Sequence, residues 1–137
     1  LRSQYHGGDK NDKTLQARLK TEFVTNILDS DYTISMRGGG NFSVRFYETL
    51  CLGRIPIFID TDCLLPFQDE IDYKSIFPWI DMQDLPHAAE MVQDFHARLS
   101  DDDFIDLQKT CRQLWLNHMT PNGFYTDFVC KISKLIR

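Results

Sequence analysis

The polar and apolar positions of this chain change period several times, and each change marks an element. Leu15, Leu19, Phe23, Ile27 and Leu28 recur at spacings of three and four, which predicts an amphipathic helix over residues 12–28. Asp29-Ser30-Asp31 stops it, and Tyr32 to Met36 reads as a short strand of β-branched and aromatic type. A glycine turn follows. Phe42, Phe46 and Leu50 then share one face of a helix predicted over 42–52, with Gly53 as its stop. Ile55 to Ile59 is almost wholly apolar and β-branched, the pattern of a strand covered on both faces of a parallel sheet. Residues 61–75 read as a loop with one short helical turn, and Phe77 to Ile80 as a third strand. Asp84 can cap a helix with Pro86 in its first turn, running to about Leu99. Ser100-Asp101-Asp102-Asp103 opens another helix as a capping-box variant, with acids at the positive end of the dipole. Thr120-Pro121-Asn122-Gly123 reads as a turn before a last helix from Phe124 to about Ile136. Residues 1–10 read as irregular, with a turn at Gly7-Gly8.

Strand, helix and strand within about 30 residues make a βαβ unit. The fold class expected is therefore α/β, with a short parallel sheet flanked by helices and a helical C-terminus. The 137 residues suffice for one domain and not for two. A net charge of −5 removes the basic face that general nucleic-acid binding needs, so any anion site must be local. No apolar run reaches the roughly 18 residues of a membrane span. Cys51, Cys63, Cys111 and Cys130 show no CxxC or zinc-finger spacing and read as reduced thiols filling a core. Trp79 and Trp115 also read as core. His6, His87, His96 and His118 are scattered, as surface or partly buried residues would be.

The chemistry concentrates between Arg37 and Glu48. A turn after a parallel strand lies where α/β sheets bind ligands. Gly38, Gly39 and Gly40 allow the backbone to approach a ligand closely, and the following helix N-terminus offers free N–H groups and a favourable dipole to phosphate. Arg37 and Arg45 can make charge-assisted contacts to phosphate oxygens, and Asn41 or Ser43 can cap the helix or donate to the ligand. Arg45 and Glu48, at i and i+3, share a face away from the apolar one. Glu48 fits either a ribose acceptor or half of a solvated ion pair, and the glycines fit either a ligand cradle or a plain tight turn. There is no P-loop GxxxxGK[ST]. The dinucleotide fingerprint fails where Ser43 stands in place of its last glycine, although Asp60 lies at the expected distance. Asp60-Thr61-Asp62 reads as a loop or a sugar contact rather than a metal site, so neither a metal nor a cofactor is expected.

In combination these residues resemble the exostosin family of glycosyltransferases, family 47. The motifs are Arg37-Gly38, Ser43-Val44-Arg45-Phe46-Tyr47-Glu48, Gly53, Ile55-Pro56-Ile57, Leu65-Pro66-Phe67 and Ile71-Asp72-Tyr73, within a likeness running from about Phe23 to Trp115. Ser35-Met36 stands where the family often has Cys-Pro, and Gly39-Gly40 where it often has bulky residues. The resemblance implies the C-terminal, Rossmann-like half of a two-domain (GT-B type) enzyme, with residues 1–137 forming one donor-binding domain that is part of, or truncated from, a longer protein. It implies that Arg37 and Arg45 hold a diphosphate, that Gly38, Gly39, Asn41 and Ser43 line it, and that Glu48 holds the ribose. It implies a nucleotide-sugar donor, a UDP-sugar first, a saccharide acceptor, and transfer with inversion. No catalytic base is assigned. The location expected is cytoplasmic for a bacterial member and the Golgi lumen for a eukaryotic one. A face left bare by a missing half would favour self-association. Two other functions stay open: a non-catalytic nucleotide-binding or interaction module, and a dinucleotide-binding half of an oxidoreductase.

Overall fold

In the computed structural model, residue 9 and residues 11–136 are described; the Gly7-Gly8 turn and His6 lie outside them. α1 (Lys13–Leu28) starts where the Asp12 side chain accepts from the Leu15 N–H at 2.9 Å. It presents Leu15, Leu19 and Phe23 half-buried and Ile27 fully buried, as their spacing requires. β1 (Tyr32–Ser35), β2 (Ile55–Asp60) and β3 (Trp79–Asp81) form one parallel sheet in the order β1-β2-β3. Ser35 lies opposite Phe58, and Phe58 opposite Trp79.

α2 (Val44–Cys51) connects β1 to β2 and ends at Gly53, whose φ of +64° only glycine adopts without strain. Arg54 donates from Nε and a terminal nitrogen to the Leu28 carbonyl at 3.1 and 2.9 Å, tying the start of β2 to the end of α1. α3 (Ala88–His96) and α4 (Asp101–Leu114) follow β3. α4 carries a complete capping box: the Asp103 N–H donates to the Ser100 hydroxyl and the Ser100 N–H donates back to the Asp103 carboxylate. A π-helical turn (Trp115–Met119) continues α4, and α5 (Pro121–Leu135) closes the chain.

The core gathers on β2. Phe46 of α2 lies 5.3 Å from Phe58, 5.6 Å from Phe77 and 6.1 Å from Tyr73 between ring centroids, mostly edge to face. Leu50, Ile55, Leu65, Cys111 and Leu114 complete the cluster. Burial pushes the Cys111 thiol up to about 12, so it packs as a small apolar group. Tyr73 donates its hydroxyl to the Pro66 carbonyl at 2.7 Å, which satisfies the one polar atom that it brings inside.

Five sequence expectations are corrected. Phe42 lies outside α2 and is exposed, because the loop closes before Val44 through the Gly38 N–H donating to the Phe42 carbonyl. The third strand begins at Trp79, two residues late. The helix placed after Asp84 is first a 3-10 turn (Met82–His87), since Pro86 cannot donate into an α-helical ladder. Thr120-Pro121-Asn122-Gly123 is no turn but the cap and first turn of α5: the Thr120 hydroxyl accepts from the Gly123 N–H at 3.1 Å. Cys130 is exposed and Cys51 half-buried, leaving Cys63 and Cys111 as the core thiols. Trp79 and Trp115 pack at the rim of the core, half-buried.

The contrast between two phenylalanines is measurable. Phe46→Ala should cost about 3–5 kcal/mol of unfolding free energy, and Phe42→Ala no more than about 0.5 kcal/mol, in equilibrium denaturant titrations. Equal losses would contradict the placement of Phe42 outside the packed face.

Candidate functional site

The turn from Arg37 to Asn41 sits at the carboxyl end of β1, where strand geometry ends and a helix begins. Gly38 and Gly39 have open space where a side chain would be, so a ligand can approach their backbone. A Cβ at Gly40 would come within 3.0 Å of the Phe42 ring. Asn41 is a staple rather than a free donor. Its Nδ2 donates to the Asp62 carbonyl at 2.9 Å, and its Oδ1 accepts from the Thr61 hydroxyl at 3.3 Å. The glycine turn is thereby fixed to the loop that leaves β2. That loop is itself closed by the Asp62 N–H donating to the Asp60 carboxylate at 2.9 Å, with Asp62 at a φ of +59°. Asp60-Thr61-Asp62 thus braces the turn. Among the described residues no group of three His, Cys, Asp or Glu is placed to hold a metal.

Ser43 takes the extended geometry of an N-cap, but its side chain makes no capping bond and is buried. The first N–H groups of α2 therefore gain no satisfaction from it. Arg37 is exposed at the mouth of the turn. Arg45 is half-buried and lays its guanidinium over the Phe23 ring of α1, 4.3 Å from the centroid. Among the described residues no ion pair joins Arg45 to Glu48, although the two share a face. Arg45 lines a cavity of about 530 Å³ beside the edge of β1, with Asn26, Ser30 and Thr33. Glu48 lines an apolar groove of about 400 Å³ between α1 and α2, with Phe23, Val24, Tyr47 and Trp115. Removal from water raises the Glu48 carboxyl above its ordinary range, and the Arg45 charge partly opposes that rise.

The structure thus groups the sequence candidates in two places. Arg37, Gly38, Gly39 and Asn41 form the turn; Arg45 and Glu48 flank Phe23 on the side of α2 that faces α1; Ser43, at the N-cap of α2, is buried. Sequence reading missed Phe23 as a support for Arg45, because its helical spacing marks it as core. It also missed the Asn41–Asp62 staple, which no periodicity signals. Among the described residues, two buried hydroxyls on β1, Thr33 and Ser35, have no hydrogen-bond partner, and Thr33 borders the same cavity as Arg45. A further cleft of about 630 Å³ opens at the ends of β2 and β3, between Asp60, Asp62, Gln68, Lys74 and Trp79.

Titration of Glu48 tests this electrostatic picture. A carboxyl with a raised folded-state pKa holds its proton more tightly when folded. Its contribution to stability is present below the ordinary value of 4.5 and is lost as pH rises through the folded value. NMR should find its midpoint above 4.5, and Arg45→Ala should raise it further by removing the opposing charge. A midpoint that Arg45→Ala leaves unmoved or lowers would break the coupling.

Residues 2–95 match the family model described as the exostosin GT47 domain. The match begins earlier than the motif likeness that starts near Phe23, and it ends before α4. Exostosin-1 of Drosophila melanogaster is 30% identical over 76 residues, covering 56% of this chain and 10% of that protein. The chain thus spans about a tenth of the length of that relative.

Proposed function

The chain belongs to the exostosin GT47 family, and from that premise we propose that it is the donor-binding part of a glycosyltransferase, acting on a nucleotide diphosphate sugar. One observation carries the reading. The segment Arg37–Glu48, inside the matched residues, lies at the carboxyl end of a parallel strand, with an open glycine backbone, an uncapped helix start and two arginines. Such an arrangement suits a diphosphate. Arg37 and Arg45 would neutralise the charge that builds on the diphosphate as the bond from its oxygen to the anomeric carbon breaks. Gly38 and Gly39 would admit its oxygens to backbone N–H groups, with Ser43 beside the first turn of α2. Asn41 would hold the turn in place rather than touch the ligand. Glu48, ionised, would accept hydrogen bonds from the ribose hydroxyls, beside a largely apolar groove that Lys20 also lines.

A UDP-sugar is the first donor to test, with a saccharide hydroxyl as acceptor and inversion at the anomeric carbon. In that reaction the hydroxyl oxygen attacks the carbon, the nucleoside diphosphate leaves, and the hydroxyl proton passes to a base. None of the residues assigned to the donor is that base, so the reading extends to holding and activating the donor. In the two-domain GT-B arrangement the acceptor side would come from the opposite half.

Thermal unfolding with UDP tests the proposal. Saturating ligand at about 100 times Kd should add about 2.7 kcal/mol of stability. Arg45→Ala should remove the shift, and Arg98→Ala, on an exposed site away from the turn, should keep it. No shift at millimolar UDP would overturn the reading, and a shift with NAD but not with UDP would move it to the dinucleotide class. Binding without transfer to any saccharide would leave a nucleotide-binding module.

A further inference from the structure

α5 is attached through a mixed face, with an ion-paired Asp127 and Lys131 and the Phe124 ring turned inward, and it leaves an apolar stripe facing out. On its inner side Asp127 meets His118 Nδ1 at 2.5 Å, and Lys131 is ion-paired to Asp69 and, at 3.6 Å, to Glu70. Phe124 stands 5.5 Å from Phe67 between centroids. At Gly123 a Cβ would lie 2.1 Å from the Asn117 carbonyl oxygen, so the first turn is pressed against the π-helical turn before it. No residue of α5 is buried. Tyr125, Val129, Ile132 and Ile136 follow at i, i+4, i+7 and i+11, one stripe of a helix, and are 65%, 58%, 39% and 80% exposed. Helical spacing places this stripe roughly opposite Asp127 and Lys131. Phe128 and Leu135 border it, 45% and 80% exposed.

We propose that this stripe pairs α5 with α5 of a second copy of the chain. The six side chains expose on the order of 700 Å² per copy, close to the roughly 800 Å² that each partner buries in a stable interface. Few monomers leave such a patch bare. The rim favours a like partner. One border is apolar, and the other carries Asn122, Thr126 and Ser133, which are uncharged, so two copies meet without like-charge repulsion. Lys131 is engaged inward, and Lys134 falls on the far side of the helix from the stripe. A membrane-surface helix would instead carry a strongly basic polar face, and here that face holds Asp127 as well as the lysines. An antiparallel arrangement sets Val129 against Ile132 and Tyr125 against Ile136 in both directions about a two-fold axis, and opposes the helix dipoles. All of α5 lies beyond the family-matched residues 2–95, so this surface belongs to a part of the chain that the donor site does not use.

The test is sedimentation velocity or light scattering on the 137-residue chain at tens of micromolar, with a reductant present so that exposed Cys130 cannot form a disulfide. The expected result is a reversible dimer. Val129→Glu and Ile132→Glu, each made separately, should weaken it by more than about tenfold while leaving the far-ultraviolet spectrum unchanged. A monomer throughout that range overturns the proposal. A dimer that both substitutions leave intact also overturns it, because another face then carries the association. So does a monomer that binds phosphatidylserine vesicles through α5.

Discussion

The constraint on which the rest depends is the burial of β2. As the middle strand of three it must be covered on both faces, and Ile55, Phe58 and Ile59 are almost fully removed from water. Phe46 of α2, itself fully buried, covers it on one side, in contact with Phe58, Phe77 and Tyr73. Because Phe46 must reach Phe58, the axis of α2 is set, and with it the direction in which Arg45 and Glu48 point. Packing on the apolar side of the helix therefore aims the charged side. Gly53 and Arg54 act at the other end, turning the chain into β2 and holding that turn to α1.

The same constraint explains why the charged groups sit as they do. Arg45 emerges beside α1 and finds the Phe23 ring, which accommodates a guanidinium without neutralising it. The cation thus stays available to an anion. Glu48, one turn on, lies against apolar groups and loses some of its hydration. Among the described residues Arg45 has no carboxylate in ion-pair contact, and Glu48 close by is partly desolvated. An exposed pair would add only a few tenths of a kcal/mol of stability, so the proposed diphosphate and ribose roles rest on this arrangement rather than on surface stability. The glycine turn is rigid for a different reason: Asn41 is bonded to the loop after β2, so the ends of two adjacent strands act as one platform.

Much of the fold was legible because its signals are local. The stripe Leu15, Leu19, Phe23 and Ile27, the β-branched run of β2, the stop at Gly53 and the cap at Ser100 each depend on a few neighbouring residues, and each formed as expected. The errors cluster where local signals compete. Phe42 has the spacing of a helix face, yet a backbone bond from Gly38 keeps it in the loop. Thr120-Pro121-Asn122-Gly123 has turn composition, but the same residues suit a cap with proline at the first helical position, and packing of Gly123 against Asn117 selects the helix. Asn41 could as well have faced a ligand as Asp62, and nothing within the loop decides between them.

The sequence by itself determined the element types, the parallel βαβ core, the location of the glycine turn after a strand and the residue types available there, because propensity, periodicity and capping act within a few residues. Only the tertiary structure decided that Arg45 rests on Phe23, that Asn41 braces the turn, and that α5 shows its apolar stripe to solvent. These outcomes depend on contacts between residues 20 or more positions apart, as with Arg45 and Phe23, Asn41 and Asp62, and Lys131 and Asp69. A pattern of hydrophobic positions says that a helix has an apolar side. Which side turns inward is set by the partners that packing brings to it.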